Sequence, residues 1–170
     1  MYIYTPPQNK KYAVGLCALM YAIAAMSLIM GQFRTPRLLW QLMGIAALTA
    51  GIQFTTRYVL TAYRYILSDL ALLHEANELK VEQVRGNNRR LVCSLSLETR
   101  IALVKYTSMS AIEAEYGRIS RTFNFSPNIA SDDRYAYIFE FNGATNMLLL
   151  DCDEEFIRQY RLRTETNLML

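Results

Sequence analysis

One histidine and three cysteines are all that 170 residues offer of the side chains that most often hold metals or run redox chemistry. A single imidazole excludes the usual catalytic zinc sets, which need two or three. There is no C-x-x-C, no H-E-x-x-H, no G-x-S-x-G and no phosphate-binding glycine loop; the seven glycines are scattered. No loop has the Asp/Asn/Gly spacing of a calcium site. The length excludes a multidomain enzyme. Acidic residues are missing altogether from the first 64 positions, where Lys10, Lys11, Arg34, Arg37, Arg57 and Arg64 are the charged residues. From Tyr65 onward twelve basic residues face fifteen acidic ones, a net of −3. A basic, apolar front therefore precedes a mildly acidic, polar back, and no constellation identifies an enzyme, a cofactor or a metal.

The front contains two uncharged runs of nineteen residues, Ala13 to Gly31 and Leu38 to Thr56. At ~1.5 Å per helical residue each spans ~28 Å, close to the ~30 Å hydrocarbon core of a bilayer. Tyr12, Trp40 and Tyr58 stand at the ends, where amphipathic rings favour the headgroup region. Gln41, Gln53 and three threonines make the second span the weaker one, and no ionisable group lies at bilayer depth, which argues against a pump or pore. Ala22-Ile23-Ala24 imitates a signal-peptidase site, but the apolar run continues through Met26, Leu28, Ile29 and Met30, so an uncleaved span is expected.

Only six residues, Gln32 to Arg37, separate the runs, so the helices must form an antiparallel hairpin. Gly15, Ala18, Ala22 and Ala25 on the first helix, and Gly44, Ala47 and Gly51 on the second, lie at helical spacing. Small residues allow close backbone approach in lipid, between these helices or between copies of the chain. Lys10, Lys11, Arg57 and Arg64 outnumber Arg34 and Arg37, which places both termini in the cytoplasm of a cell membrane. Cys17 lies within a span, and Cys93 and Cys152 show no pairing pattern, consistent with reduced thiols.

Behind the hairpin the hydrophobic period changes to two. Tyr63, Tyr65 and Leu67 alternate, as do Leu79 and Val81, then Leu91, Cys93, Leu95 and Leu97 after a turn at Gly86-Asn87-Asn88. Ile101, Leu103 and Lys105 extend a further strand; Ile119, Arg121, Phe123 and Phe125 another. Tyr135, Tyr137, Phe139 and Phe141 lead into Asn142-Gly143, a strong hairpin signal, and Thr145 to Leu150 returns. Ser110 to Glu113 has capping-box spacing and Gly117 can end a short helix. Asp153 can cap a final helix with Glu154 and Glu155 in its first turn and Arg158, Arg161 and Arg163 towards its end. Phe156, Ile157 and Tyr160 form its apolar stripe.

The segment Tyr63-Arg-Tyr-Ile-Leu-Ser-Asp69, the hairpin Val81-Glu-Gln-Val-Arg-Gly86 and the exit Ser-Leu-Glu-Thr-Arg-Ile101 resemble bacterial membrane proteins with a pleckstrin-homology-like (YcxB-like) domain after a transmembrane hairpin. The expected organisation is a tail over 1–11, a hairpin over 12–62 and a mostly-β domain over 63–170. The domain is expected to be a closed barrel of about seven strands with a C-terminal helix across one opening. The expected role is a non-enzymatic, membrane-anchored module that binds another protein or its own copies. The resemblance also implies a second role, since basic residues of a hairpin contact phosphates in lipid-binding members: Lys80, Arg85, Arg89 and Arg90 would meet anionic headgroups. A net-negative domain disfavours nucleic acid. His74 beside Glu75 reads as a loop histidine, and Cys152 between Asp151 and Asp153 as an unreactive thiol.

Overall fold

The computed structural model describes residues 1–33, 36–68 and 78–165. Arg34, Asp69, His74 and Glu75 lie outside the described residues. The chain divides into two compact units: one helical, residues 8–61, and one mostly β, residues 1–7 and 62–170.

The helical unit is an antiparallel pair, α1 (Lys10–Phe33) and α2 (Arg37–Phe54), the second continued by a π-helical turn over Thr55–Val59. Both helices are long and apolar enough to cross a membrane. Their large apolar side chains point outward: Leu19, Ile23, Met26 and Ile29 on α1, and Leu38, Leu42, Ile45 and Ile52 on α2, are exposed. Helices apolar on the outside and packed on each other through small residues suit a lipid solvent better than water. The threonines of α2 and of the π-helical turn do not break this surface. Thr49 and Thr56 donate to the carbonyls of Ile45 and Ile52, each at 2.8 Å, and the Thr55 and Tyr21 hydroxyls bond each other at 3.0 Å. Near the open end of the pair, Gln8 Nε2 donates to the Thr61 carbonyl at 2.8 Å.

The β unit contains β1 (Tyr2–Tyr4), β2 (Ala62–Leu67), β3 (Glu78–Arg85), β4 (Asn88–Ser96), β5 (Arg100–Lys105), β6 (Arg121–Asn124), β7 (Arg134–Phe141) and β8 (Ala144–Asp151), with α3 (Met109–Tyr116) and α4 (Glu154–Glu165). The strands form two four-stranded sheets, ordered β1-β2-β3-β4 and β5-β7-β8-β6. This is a correction to the closed barrel: among the described residues the two sheets keep separate, open edges. A second difference is the N-terminal segment. Tyr2–Tyr4, expected as part of a tail, pairs antiparallel with Leu67 to Tyr65 as an edge strand.

Between the sheets lies the main core, where Tyr65, Leu67, Val81, Tyr137, Leu148 and Leu150 are completely or almost completely buried. Helix α4 closes it with Phe156 and Tyr160, and its N-terminus is capped as expected, Phe156 N donating to Asp153 Oδ1 at 2.7 Å. The β5-β7-β8-β6 sheet is buried on its other face too: Ala136, Ile138, Met147 and Leu149 pack with Ile112 and Ile119. Helix α3 supplies Ile112, and its cap is Ser108, whose Oγ accepts from Ala111 N at 3.2 Å, rather than Ser110. Glu113 instead accepts from Ile119 N at 3.3 Å.

Turn chemistry sets the hairpins. Asn142 and Gly143 both take positive φ, 53° and 71°, as a tight two-residue connection of β7 to β8 requires. Between β3 and β4 the pairing jumps from Val81–Cys93 to Glu82–Leu91, leaving Val92 as an extra residue. That bulge interrupts the alternation expected for β4. Cys93 and Leu95 pack against the core, while Leu91 is turned outward and is 53% exposed.

Candidate functional site

Pairing in the β3–β4 ribbon decides what the basic cluster can be. Arg85 opposes Asn88, Val84 opposes Arg89 and Gln83 opposes Arg90. Residues opposite each other share a face, so Arg85 and Arg90 fall on one side of the ribbon and Arg89 on the other. The ribbon's end thus gathers three exposed arginines, split between two faces. Arg89 and Arg90 form no ion pair among the described residues. Lys80 does not join them. It sits five positions down the strand, opposite Ser94, with its Nζ 3.2 Å from Glu78 Oε2, and Ser94 Oγ donates to the same carboxylate oxygen at 2.8 Å. These two bonds hold the Glu78 carboxyl below its ordinary range, the serine contributing most. Lys80 is thus committed to a local pair.

The small-residue rows also separate. On α2, Gly44 and Gly51 are buried against α1, and Ala47 is half-buried. A Cβ at Gly44 would come within 2.8 Å of Leu28, and one at Gly51 within 3.1 Å of the Tyr21 ring. On α1 the packing face is Ala13, Cys17, Ala24, Ser27 and Gly31. Gly15, Ala18, Ala22 and Ala25 are exposed, and a Cβ at Gly15 would meet nothing within 4 Å. The α1 row thus lies one helical face away from the one that packs within the hairpin; alanine and glycine are so frequent in this helix that two faces satisfy the spacing, and the outward one is left for contacts between copies.

A buried polar centre ties the ends of β7 and β8 to the loop after β6. The Asp151 carboxylate accepts from Ser126 Oγ at 2.7 Å and from Asn128 Nδ2 at 3.0 Å, with Arg134 Nε 3.6 Å away. Arg134 also donates to the carbonyls of Asn128 and Ile129. Asn128 Nδ2 further reaches the carbonyl of Pro7 at 3.0 Å, so the N-terminal segment is bound at both its strand and its exit. The neighbouring Cys152 thiol is pushed well up, first by burial and then by Asp151 and Asp153, which makes it inert. Among the described residues no cluster of His, Cys, Asp and Glu could hold a metal ion.

The feature that sequence reasoning missed is a cleft of about 470 Å³ where the edge strands of the two sheets, β4 and β6, come together without pairing. Its floor comes from β8 and β7, with Leu148 fully buried and Phe139 5% exposed. Register arranges its walls in layers. Arg121 of β6 pairs with Asn146 of β8, which pairs with Phe139; one layer deeper Phe123 pairs with Leu148, which pairs with Tyr137. Arg121, Phe123 and Phe125 were visible as an alternation. That β6, reached from β5 through α3, would lie parallel beside β8 was not, and without that neighbour the row has no cleft to line. Compared with protein-family models, curated proteins and solved structures, the chain matches none.

Proposed function

We propose that this protein is a membrane-anchored interaction module: a two-helix hairpin in a cell membrane that holds a pleckstrin-homology-like β unit at the cytoplasmic face, where it binds another protein or its own copies. The supporting observation is the pairing of β1, which precedes the hairpin, with β2, which follows it. Both chain connections to the helices leave from one sheet, so the hairpin serves as a two-point tether. The two sheets followed by a core-closing helix support the pleckstrin-homology-like assignment, in an open form.

Contact is expected along the open edges, where Leu91 on β4 and Ile101 on β5 are half exposed. Photo-crosslinking amino acids placed at Leu91 and Ile101 in native membranes test this. A discrete adduct of constant mass at either edge, absent from a control at Glu113, is expected. The same diffuse adducts at all three positions would sink the reading.

The unpaired Arg89 and Arg90 favour a second reading, in which the ribbon's end meets anionic headgroups. An environment-sensitive dye on Asn87→Cys in proteoliposomes should then shift to the blue as anionic lipid increases, and lose that shift in high salt or with Arg89→Glu. No dependence on lipid charge would exclude it.

A further inference from the structure

The cleft between β4 and β6 has the size and lining of a small-molecule site, and its polar groups are unevenly placed. At about 470 Å³ it falls within the ~300–1,000 Å³ common for such pockets. Phe125 just past β6 and Leu148 and Phe139 from the floor make its depth apolar. Ser120, Arg121, Asn142 and Asn146 gather at the end nearest the β7–β8 turn. The Arg121 guanidinium has no ion-pair or hydrogen-bond partner among the described residues. Phe123 and Phe141 are left 40% and 61% exposed at the opening. An apolar trough with one unpaired cation at its end is complementary to a molecule with one anionic end and an apolar remainder.

An extended peptide fits less well. A strand carries a donor and an acceptor at every residue and needs an edge that can accept a continuous ladder. The β4 edge is broken at the cleft by the Val92 bulge, and β6 is only four residues long. Bulges and very short strands are the features that keep an edge from being extended.

We propose that the cleft binds a single-chain amphiphile, its acyl chain lying over Phe123, Phe125 and Leu148 and its anionic head paired with Arg121. The same chemistry can reach the cleft as a free fatty acid or as a single-chain phospholipid from the bilayer.

Cys93 lines the cleft and reports on it directly. The full chain, in nanodiscs of zwitterionic phospholipid, is treated with iodoacetamide, and Cys93 modification is followed by mass spectrometry with Cys152 as the internal control for unfolding. Dodecanoate, below its micelle concentration, is expected to slow Cys93 alkylation saturably, at least tenfold, without changing Cys152. Arg121→Gln should raise the half-protecting concentration about tenfold for dodecanoate and leave that of dodecanol unchanged, since only the acid carries the charge. Nanodiscs containing lysophosphatidate but no free acid identify the bilayer as a source if they protect Cys93 equally. The proposal is overturned if dodecanoate gives no protection, if Arg121→Gln leaves protection by dodecanoate unchanged, or if inorganic phosphate alone protects as well. Protection that grows with protein concentration in the absence of amphiphile would show a second copy in the cleft and would also overturn it.

Discussion

Gly44 and Gly15 are the same residue in the same hairpin, yet one is a contact and the other is surface. A side chain at Gly44 must displace Leu28, whereas one at Gly15 enters open space. Gly44→Leu should therefore cost the helix pair ~1–3 kcal/mol by overpacking, while Gly15→Leu stays within about 0.5 kcal/mol. Reversible unfolding of the hairpin in mixed micelles measures both. Loss of a homo-oligomer in Gly15→Leu, with the hairpin intact, would assign the outward row to contacts between copies. Titration behaviour is equally residue-specific. Burial is the main cause that raises both the Tyr65 hydroxyl and the Cys152 thiol well above their ordinary values. Both groups are neutral when protonated, so their contribution is complete below the unfolded thiol value of ~8.5 and is lost as pH rises towards the folded values. Thermal unfolding of the β unit within the full chain should show a flat stability from neutral pH to about 8.5 and a fall beyond it. Tyr65→Phe should flatten that fall and lower stability at neutral pH, because the hydroxyl donates to the Phe125 carbonyl at 3.0 Å and accepts from Asp151 N at 3.2 Å.

Strand β7 shows what an element-level pattern can and cannot carry. Its alternation puts Tyr135, Tyr137, Phe139 and Phe141 on a core face; Tyr137 and Phe139 are 0% and 5% exposed and Tyr135 is half-buried, but Phe141, at the strand's end, is 61% exposed. Phe139→Ala should cost ~3–5 kcal/mol and Glu140→Ala, on exposed surface, within about 0.5 kcal/mol, compared by urea unfolding of the full chain in detergent. Equal effects would refute the assigned faces. Yet Ala136 and Ile138, on the other face, are also fully buried, because α3 covers it. Period two identifies a strand's faces; it does not reveal that a helix arrives from elsewhere to cover the second. Strands, turns and the final helix were legible because each depends on near neighbours in sequence: Asn142-Gly143 for a hairpin, Asp153 for a cap. The parallel β6–β8 pair and strand β1 were not, since each is fixed by a partner distant in the chain, and the Val92 bulge was not because an extra residue in a ladder leaves the alternation of residue types unmarked. The candidate sites divide on the same principle. Arg85, Arg89 and Arg90 share a ribbon end because a two-residue turn brings them there, whereas the cleft depends on two sheets meeting.

At the scale of the whole molecule, one sheet contains both the strand before the hairpin and the strand after it. If α1 and α2 cross the bilayer, both connections must emerge on the same side. In the orientation proposed above, that side is the cytoplasm. An introduced thiol at Thr35 should then react with an impermeant reagent added to intact cells, and one at the exposed Asn87 only after permeabilisation. The opposite pattern would reverse the assignment, and labelling of both from outside would mean that the helices do not span.

The position of β1 also imposes an order on biosynthesis. Tyr4 is made before its partner Tyr65, which follows sixty-one positions later. Left as a free coil, so long an intervening segment would oppose pairing through its closure entropy. A folded hairpin brings the two ends together in advance, as the Gln8–Thr61 bond near its open end illustrates. If the hairpin spans a membrane, β1 joins the sheet only after β2 has been made, and a chain whose hairpin failed to insert would leave β2 as a bare edge, open to pairing with other chains. Under that reading, insertion comes before completion of the domain.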